Sequence, residues 1–270
     1  MFSNARAHLP FLIRSRVRKD ERRAVNLLPV IAAGAVFILG WEALVIFGSF
    51  SVFLPAPELV AQRFVGAWLD GTMWRHASAT LVEIGLGFLV GAGLAVGVGY
   101  LLARSRLAER LLSPYIVAAQ ATPVLVLAPL LAVWLGTGLL PKVVICALIV
   151  FFPVAIATMV GIRSVDQRLL EMARSLRASP RHVLTKLELP AALPQILGGM
   201  RVGVTLAVIG AIVGEWAGAD RGLGVLINLA RGSLFDYPLM FATLVTINLI
   251  ALALYLVVLL VERALVGAWR

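Results

Sequence analysis

Six apolar runs, near residues 27–48, 80–103, 114–135, 142–161, 195–217 and 239–262, dominate the chain and limit what it can fold into. Each is close to the length, about 20 residues, at which a helix crosses the roughly 30 Å hydrocarbon core of a bilayer. A backbone in lipid has to satisfy its own hydrogen bonds, and runs this continuous lack the alternation of barrel strands, so helices are the required form. The expected fold is an all-α membrane protein with six transmembrane helices. Composition leads the same way: of 270 residues, 61% are hydrophobic and only 14% charged, too few polar side chains to cover a water-soluble globule. The tight Gly136-Thr137-Gly138-Leu139-Leu140-Pro141 connection predicts that the third and fourth runs form a helical hairpin.

The net charge of +10 raises the question of nucleic acid, and the distribution of basic residues answers it. With the N-terminus inside, inner segments hold 18 Lys and Arg and outer segments 5, counting Arg63, Arg75, Lys142, Arg221 and Arg231 as outer. This bias predicts an N-in, C-in, multi-pass membrane protein. It also accounts for the basic pI without a nucleic-acid partner, since no interleaved aromatic pattern accompanies the charges. The expected organisation is a basic cytoplasmic segment 1–26, a six-helix transmembrane domain 27–262 with a cytoplasmic loop 162–194, and a cytoplasmic tail 263–270. The basic head and first run are read as a retained span, because the run is too long for a signal peptide and lacks a small-residue cleavage site.

Several chemistries drop out. The single cysteine, Cys146, excludes a disulfide framework, and His8, His76 and His182 are too dispersed to form a zinc ligand set. A P-loop needs lysine directly after glycine, whereas Lys19, Lys142 and Lys186 follow Arg18, Pro141 and Thr185. The chain is therefore expected to hold no metal and no cofactor and not to hydrolyse nucleotide itself.

Three segments between the runs are long enough to carry structure. Residues 49–79 contain Pro55-Ala56-Pro57-Glu58, a helix start, followed by Leu59, Phe64, Val65 and Trp68 near one face, which reads as an interfacial helix. Residues 218–238 are expected to place a short helix over the outer mouth. Residues 162–194 form the sizeable inner loop, in which Leu169, Leu170, Ala173 and Leu176 make an apolar stripe. There Ser179-Pro180 starts a second short helix and Pro190 closes it. Two short amphipathic helices of this kind either rest on lipid headgroups or dock on a partner.

The spacing in this loop resembles the EAA loop of permease subunits of ATP-binding-cassette importers. Glu171-Met172-Ala173 matches its opening and Leu187-Glu188-Leu189-Pro190 its close. The family's glycine position carries Arg177, which takes a positive φ only at a cost, so Ala178-Ser179-Pro180 is expected to supply the bend instead. The resemblance extends over Phe53-Leu54-Pro55-Ala56-Pro57, Thr122-Pro123, Trp134-Leu135-Gly136-Thr137-Gly138, Phe152-Pro153, Leu189 to Ile196, and Gly214-Glu215-Trp216 with Gly222-Leu223-Gly224. These motifs are similar to the taurine, sulfonate and nitrate branch, the last resembling pyrimidine, thiamin-precursor or riboflavin carriers.

That resemblance implies a type I importer: two permease copies, expected to be identical, two ATPase subunits that bind ATP and Mg, and a periplasmic or lipid-anchored substrate-binding protein. It assigns ATPase coupling to Glu171, Met172, Ala173, Ser175, Leu176, Arg177, Ala178, Ser179, Pro180, Leu187 and Pro190. The solute would be a small organic molecule or oxyanion, moved by alternating access as ATP drives the ATPase subunits together.

Glycine pairs Gly87/Gly91, Gly93/Gly97, Gly199/Gly203 and the series Gly210/Gly214/Gly218 recur at helical spacing. They suit close helix packing, within the subunit or between subunits, with the fifth run the better interface candidate. Glu42, Glu83, Arg201 and Glu215 are ionisable residues inside runs, where charge is expensive and a functional role is the default reading. For Glu42 and Glu83 a hydrogen bond to a neighbouring helix is a sufficient explanation. Gln120, Thr122, Glu215, Trp216, Thr246 and Asn248 are the candidate pathway residues. The rival reading is an ion-coupled secondary transporter using Glu42, Glu83 and Glu215, but the chain shows no clear internal repeat. A membrane-embedded enzyme lacks any nucleophile or paired-acid constellation.

Overall fold

A computed structural model describes residues 27–48 and 53–267. The basic head, residues 1–26, and the last three residues lie outside the described residues, as does all of the inner charge assigned to the N-terminus. Every regular element among the described residues is helical. They are α1 (Leu27–Phe47), α2 (Pro57–Leu69), α3 (Thr72–Arg104), α4 (Arg106–Ala121), α5 (Val124–Leu135), α6 (Leu139–Arg163), α7 (Gln167–Ser175), α8 (Pro180–Val183), α9 (Leu189–Trp216), α10 (Leu223–Gly232) and α11 (Tyr237–Gly267).

Four stretches are long and apolar enough to cross a membrane: α3, α6, the continuous Pro180–Trp216 stretch and α11. The pair α4 and α5 makes a fifth if its two bent halves count as one span. The expected third run is thus not straight. Thr122 and Pro123 are extended, because a residue before proline is driven out of the helical region, and α4 and α5 meet at 95°.

The expected start of the fifth run is also corrected. Pro190 does not close a helix; α8 passes through a π turn at Leu184–Glu188 directly into α9. The Leu189 N–H bonds to Leu184 O, five residues back. Proline in a regular helix clashes with the carbonyl four residues earlier, here that of Lys186, and the wider turn relieves that crowding. At the other end of the chain, α11 continues to Gly267, so no structural break separates the last run from a tail beginning at residue 263.

The core is the trio α3, α6 and α9. Gly87 and Gly91 of α3 lie against Cys146 and Ala147 of α6, while Gly199 and Gly210 of α9 pack on Ala157 and Cys146 of the same helix. Small residues let backbones meet where lipid supplies no hydrophobic drive. The α9 glycines at 199, 203, 210 and 214 therefore serve packing within the chain, whereas Gly93 and Gly97 have nothing within 4 Å.

A second cluster joins α2, α10 and α11 to the start of α3, with Val60, Met73, Leu226 and Leu239 buried at its centre. α2 begins at Pro57 as expected, but turns Val60 and Ala67 inward and leaves Leu59 and Val65 exposed. Large apolar side chains stay exposed along α1, α5 and α11, as a lipid-facing surface requires.

Candidate functional site

Two assemblies of residues stand out, one in the segment after α6 and one where α3, α6, α9 and α10 converge. In the first, Asp166 caps α7 by accepting the Arg168 N–H at 2.9 Å. Its inner side buries Ala173 and half-buries Leu170. Leu169, Met172 and Leu176, spaced for a single face, are 43%, 55% and 74% exposed. The apolar stripe expected on one side is therefore divided: Leu170 and Ala173 anchor α7 to the bundle, and the remaining apolar residues point away from it. Glu171, Ser175 and the run Arg177 to Pro180 are exposed on the same segment.

The turn out of α7 overturns one expectation. Arg177 itself adopts the left-handed conformation, with φ +53°. Its N–H donates to Arg174 O, and the Ala178 N–H reaches back to Ala173 O, both at 2.9 Å. That pair of bonds is a Schellman turn, whose geometry favours glycine at the left-handed position. The bend thus sits where the resembled family has its glycine, not in Ala178-Ser179-Pro180. Ser179 instead caps α8, accepting the His182 N–H at 3.3 Å. Beyond it, Leu187 and Pro190 are half-buried. Glu188 is buried and accepts a hydrogen bond from Arg104 Nη2 at 2.9 Å, tying the π turn to the end of α3.

In the second assembly, Glu215 lies in the last turn of α9 and is buried. Its Oε1 accepts from Thr80 Oγ1 at 2.6 Å and its Oε2 from the Gly224 N–H at 2.5 Å. Thr80 Oγ1 in turn accepts the Leu223 N–H at 2.9 Å. His76 Nδ1 lies 2.8 Å from Gly222 O and 3.2 Å from Gly222 N, so either tautomer bonds to this one residue. Gly222 has φ +140°, and a Cβ there would fall inside the Glu215 carboxylate. The Gly222-Leu223-Gly224 motif is therefore shaped around Glu215.

Beside this cluster Lys142 Nζ donates to Glu83 Oε1 at 2.6 Å, both groups being buried. They line a cavity of about 380 Å³ with Arg75, Ser78, Thr137, Asp220 and Arg221. Lys142, read from sequence as an outer loop charge, is inside α6 and neutralises Glu83 across a helix interface. His76, Thr80, Glu83, Gly87 and Gly91 fall on one face of α3 at spacings of three and four. That periodicity is the signal by which this face of α3, not recognised from sequence as a unit, could have been found. Among the described residues no group of three or more His, Cys, Asp or Glu is placed to hold a metal.

The other pathway candidates are dispersed. Gln120 and Thr122 are exposed at the α4–α5 bend, with the Thr122 hydroxyl donating to Ala118 O at 3.1 Å. Trp216 is half-exposed and donates to Gly224 O at 3.1 Å, which joins it to the Glu215 cluster. Thr246 is buried, its hydroxyl turned onto Ala242 O, and Asn248 is exposed on α11 with its amide on Leu244 O. Glu42 is half-buried on α1, while Arg201 Nε stands 3.0 Å from Glu262 Oε2, an ion pair joining α9 to α11.

Comparison with known proteins is consistent with this architecture. Residues 90–270 match the family described as the binding-protein-dependent transport system inner membrane component. The chain is 43% identical over 252 residues to the riboflavin transport system permease protein of Chloroflexus aurantiacus, covering 93% of this chain and 94% of that one. It is 35% identical to a putative aliphatic sulfonates transport permease protein of Bacillus subtilis, covering 86% and 84% of the two chains. It is 32% identical to the taurine transport system permease protein of Escherichia coli, over 79% of each. In fold it resembles an inward-facing methionine ABC transporter, with TM-score 0.62, 21% identity, and coverage of 69% of this chain and 93% of that one. The chain belongs to the binding-protein-dependent transport family and is a permease subunit of an ATP-binding-cassette importer.

Proposed function

We propose that α7 and α8, within the loop 162–194, are the segment through which this permease is driven by its ATPase subunits. The observation that carries the reading is the outward stripe of Leu169, Met172 and Leu176 on a helix held from behind by Ala173. An apolar face presented next to Glu171, on a loop rigidified by two side-chain caps and a Schellman turn, suits a protein groove better than solvent. Met172 and Leu176 make the contact. Ala173, Ser175 and Arg177 to Pro180 set the shape of the segment, and Leu187 and Pro190 carry its displacement into α9.

In this reading the Arg104 end of the bundle faces the cytoplasm, and the Lys142 end receives solute from an external binding protein. α1, α3, the bent pair α4–α5, α6, the stretch ending in α9, and α11 form six spans, with both termini inside the inner membrane of a bacterium. The head 1–26 and the tail from 263 lie on the cytoplasmic side. Two copies of the chain enclose the pathway, with two ATPase subunits that bind ATP and Mg, and this chain needs no cofactor of its own. Gln120 and Thr122 at the bend, Glu215 with Trp216, and Thr246 and Asn248 on α11 are the polar groups assigned to that pathway. The riboflavin, sulfonate and taurine permeases among its relatives support a small polar organic solute.

The test is native mass spectrometry of the complex purified in mild detergent. Two copies of the 28.9 kDa chain with two ATPase subunits are expected. Met172→Glu with Leu176→Glu should release the ATPase subunits while leaving the permease pair intact. Retention of the ATPase subunits by that variant would overturn the assignment.

A further inference from the structure

Behind α7, on the side away from the outward stripe, a cleft of about 550 Å³ opens against the adjoining ends of α3, α4 and α6. Gln167, Leu170 and Arg174 contribute the α7 wall. Each precedes a member of the outward stripe by two residues, which places it on the opposite side of the helix. Four arginines line the cleft, Arg104, Arg106, Arg163 and Arg174, against two carboxylates, Glu109 and Glu188.

Two of the four are neutralised. Arg163 holds Glu109 in a two-pronged pair at 2.8 and 2.7 Å, and Arg104 bonds to Glu188 at 2.9 Å. Arg106 and Arg174 have no carboxylate partner among the described residues. The cleft therefore carries two excess positive charges, at the point where the apolar helix α3 ends and α4 begins.

We propose that this cleft binds a phosphate group between Arg106 and Arg174. A guanidinium fork matches phosphate oxygens in geometry as well as charge. Basic pockets between helices at the membrane surface are suited to anionic headgroups, and the same chemistry would accept a small soluble phosphate compound. Occupancy would bridge α4 to the rear of α7 without covering Met172 or Leu176. Binding itself does not depend on α7 contacting the ATPase; only its effect on coupling rests on the function proposed above.

The experiment uses the full complex in mild detergent, titrated with phosphatidylglycerol or phosphatidylcholine and read by native mass spectrometry, with inorganic pyrophosphate titrated separately by calorimetry. Phosphatidylglycerol adducts are expected to outlast phosphatidylcholine adducts on the natural protein. They should fall roughly thirtyfold in the Arg106→Ala, Arg174→Ala double variant, at about 1 kcal/mol per arginine near the surface and about 1.4 kcal/mol per tenfold. Arg263→Ala, which removes an exposed charge elsewhere, should leave them unchanged.

If the lipids do not discriminate but pyrophosphate binds the natural protein and not the double variant, the phosphate is a soluble one and the site stands. Equal phosphatidylglycerol retention by both proteins, together with no arginine-dependent pyrophosphate binding, overturns the proposal. The Arg106→Lys, Arg174→Lys variant keeps the charge and loses the fork, so it controls for folding and should retain part of the binding. Loss of ATPase subunits in the Met172 and Leu176 variant bears on the coupling reading alone and leaves these outcomes unaffected.

Discussion

Lys142 Nζ lies 2.6 Å from Glu83 Oε1, a buried ion pair between α3 and α6 with Gly214 of α9 packed against Lys142. A Cβ at Gly214 would stand 3.2 Å from Lys142 Cα, a tight contact, so the missing side chain lets α9 approach this pair closely. The relationship ties the three core helices together at one end, as Arg104 and Glu188 tie α3 to the start of α9 at the other.

Removing one partner of this pair leaves the other charge buried alone. Lys142→Ala is expected to lose about 3–5 kcal/mol of stability, the usual penalty for breaking a buried pair. The double variant Glu83→Leu, Lys142→Met should recover most of it, because the orphaned charge is gone. Thermal unfolding in detergent, followed by size-exclusion elution, measures both. A loss in the double variant equal to the sum of the losses in the two single variants would show that the two residues are not coupled.

Arg177 offers a gain rather than a loss. It occupies a left-handed position at φ +53°, a conformation costing about 1–2 kcal/mol for a residue with a Cβ. Arg177→Gly should therefore strengthen the α7 turn by about 0.5–1 kcal/mol after the greater chain entropy of glycine is deducted. Hydrogen exchange at the Ala178 amide, which bonds to Ala173 O, is the local readout, and slower exchange in the glycine variant is expected.

Two glycines on α3 provide a contrast with an internal control. A Cβ on Gly91 would meet Ala147 O at 2.6 Å, whereas one on Gly93 would meet nothing within 4 Å. Gly91→Ala should force α3 from α6 and cost about 1–3 kcal/mol. Gly93→Ala should be neutral or slightly stabilising. Melting temperatures of the two variants in the same detergent decide the matter, and a comparable loss in both would contradict the packing described.

The hydropathy pattern alone made the helical membrane class readable, because long uncharged runs have no other stable form in lipid. The residues that carry family resemblance were equally visible, since Glu171-Met172-Ala173 and Leu187 to Pro190 are local in sequence. Tertiary structure decided the rest. Whether Leu169 and Met172 turn outward while Leu170 turns in depends on where the bundle stands, and an amphipathic stripe does not say which of its edges is covered. Glu83 and Lys142 are 59 residues apart, and nothing local to either announces the other. Arg177 entered the left-handed region because the closing bonds to Ala173 and Arg174 over-determine its backbone, against its own preference. Local patterning set which segments become helices; the contacts between distant segments determined which charges are neutralised, which glycines are filled against and which surfaces are left for partners.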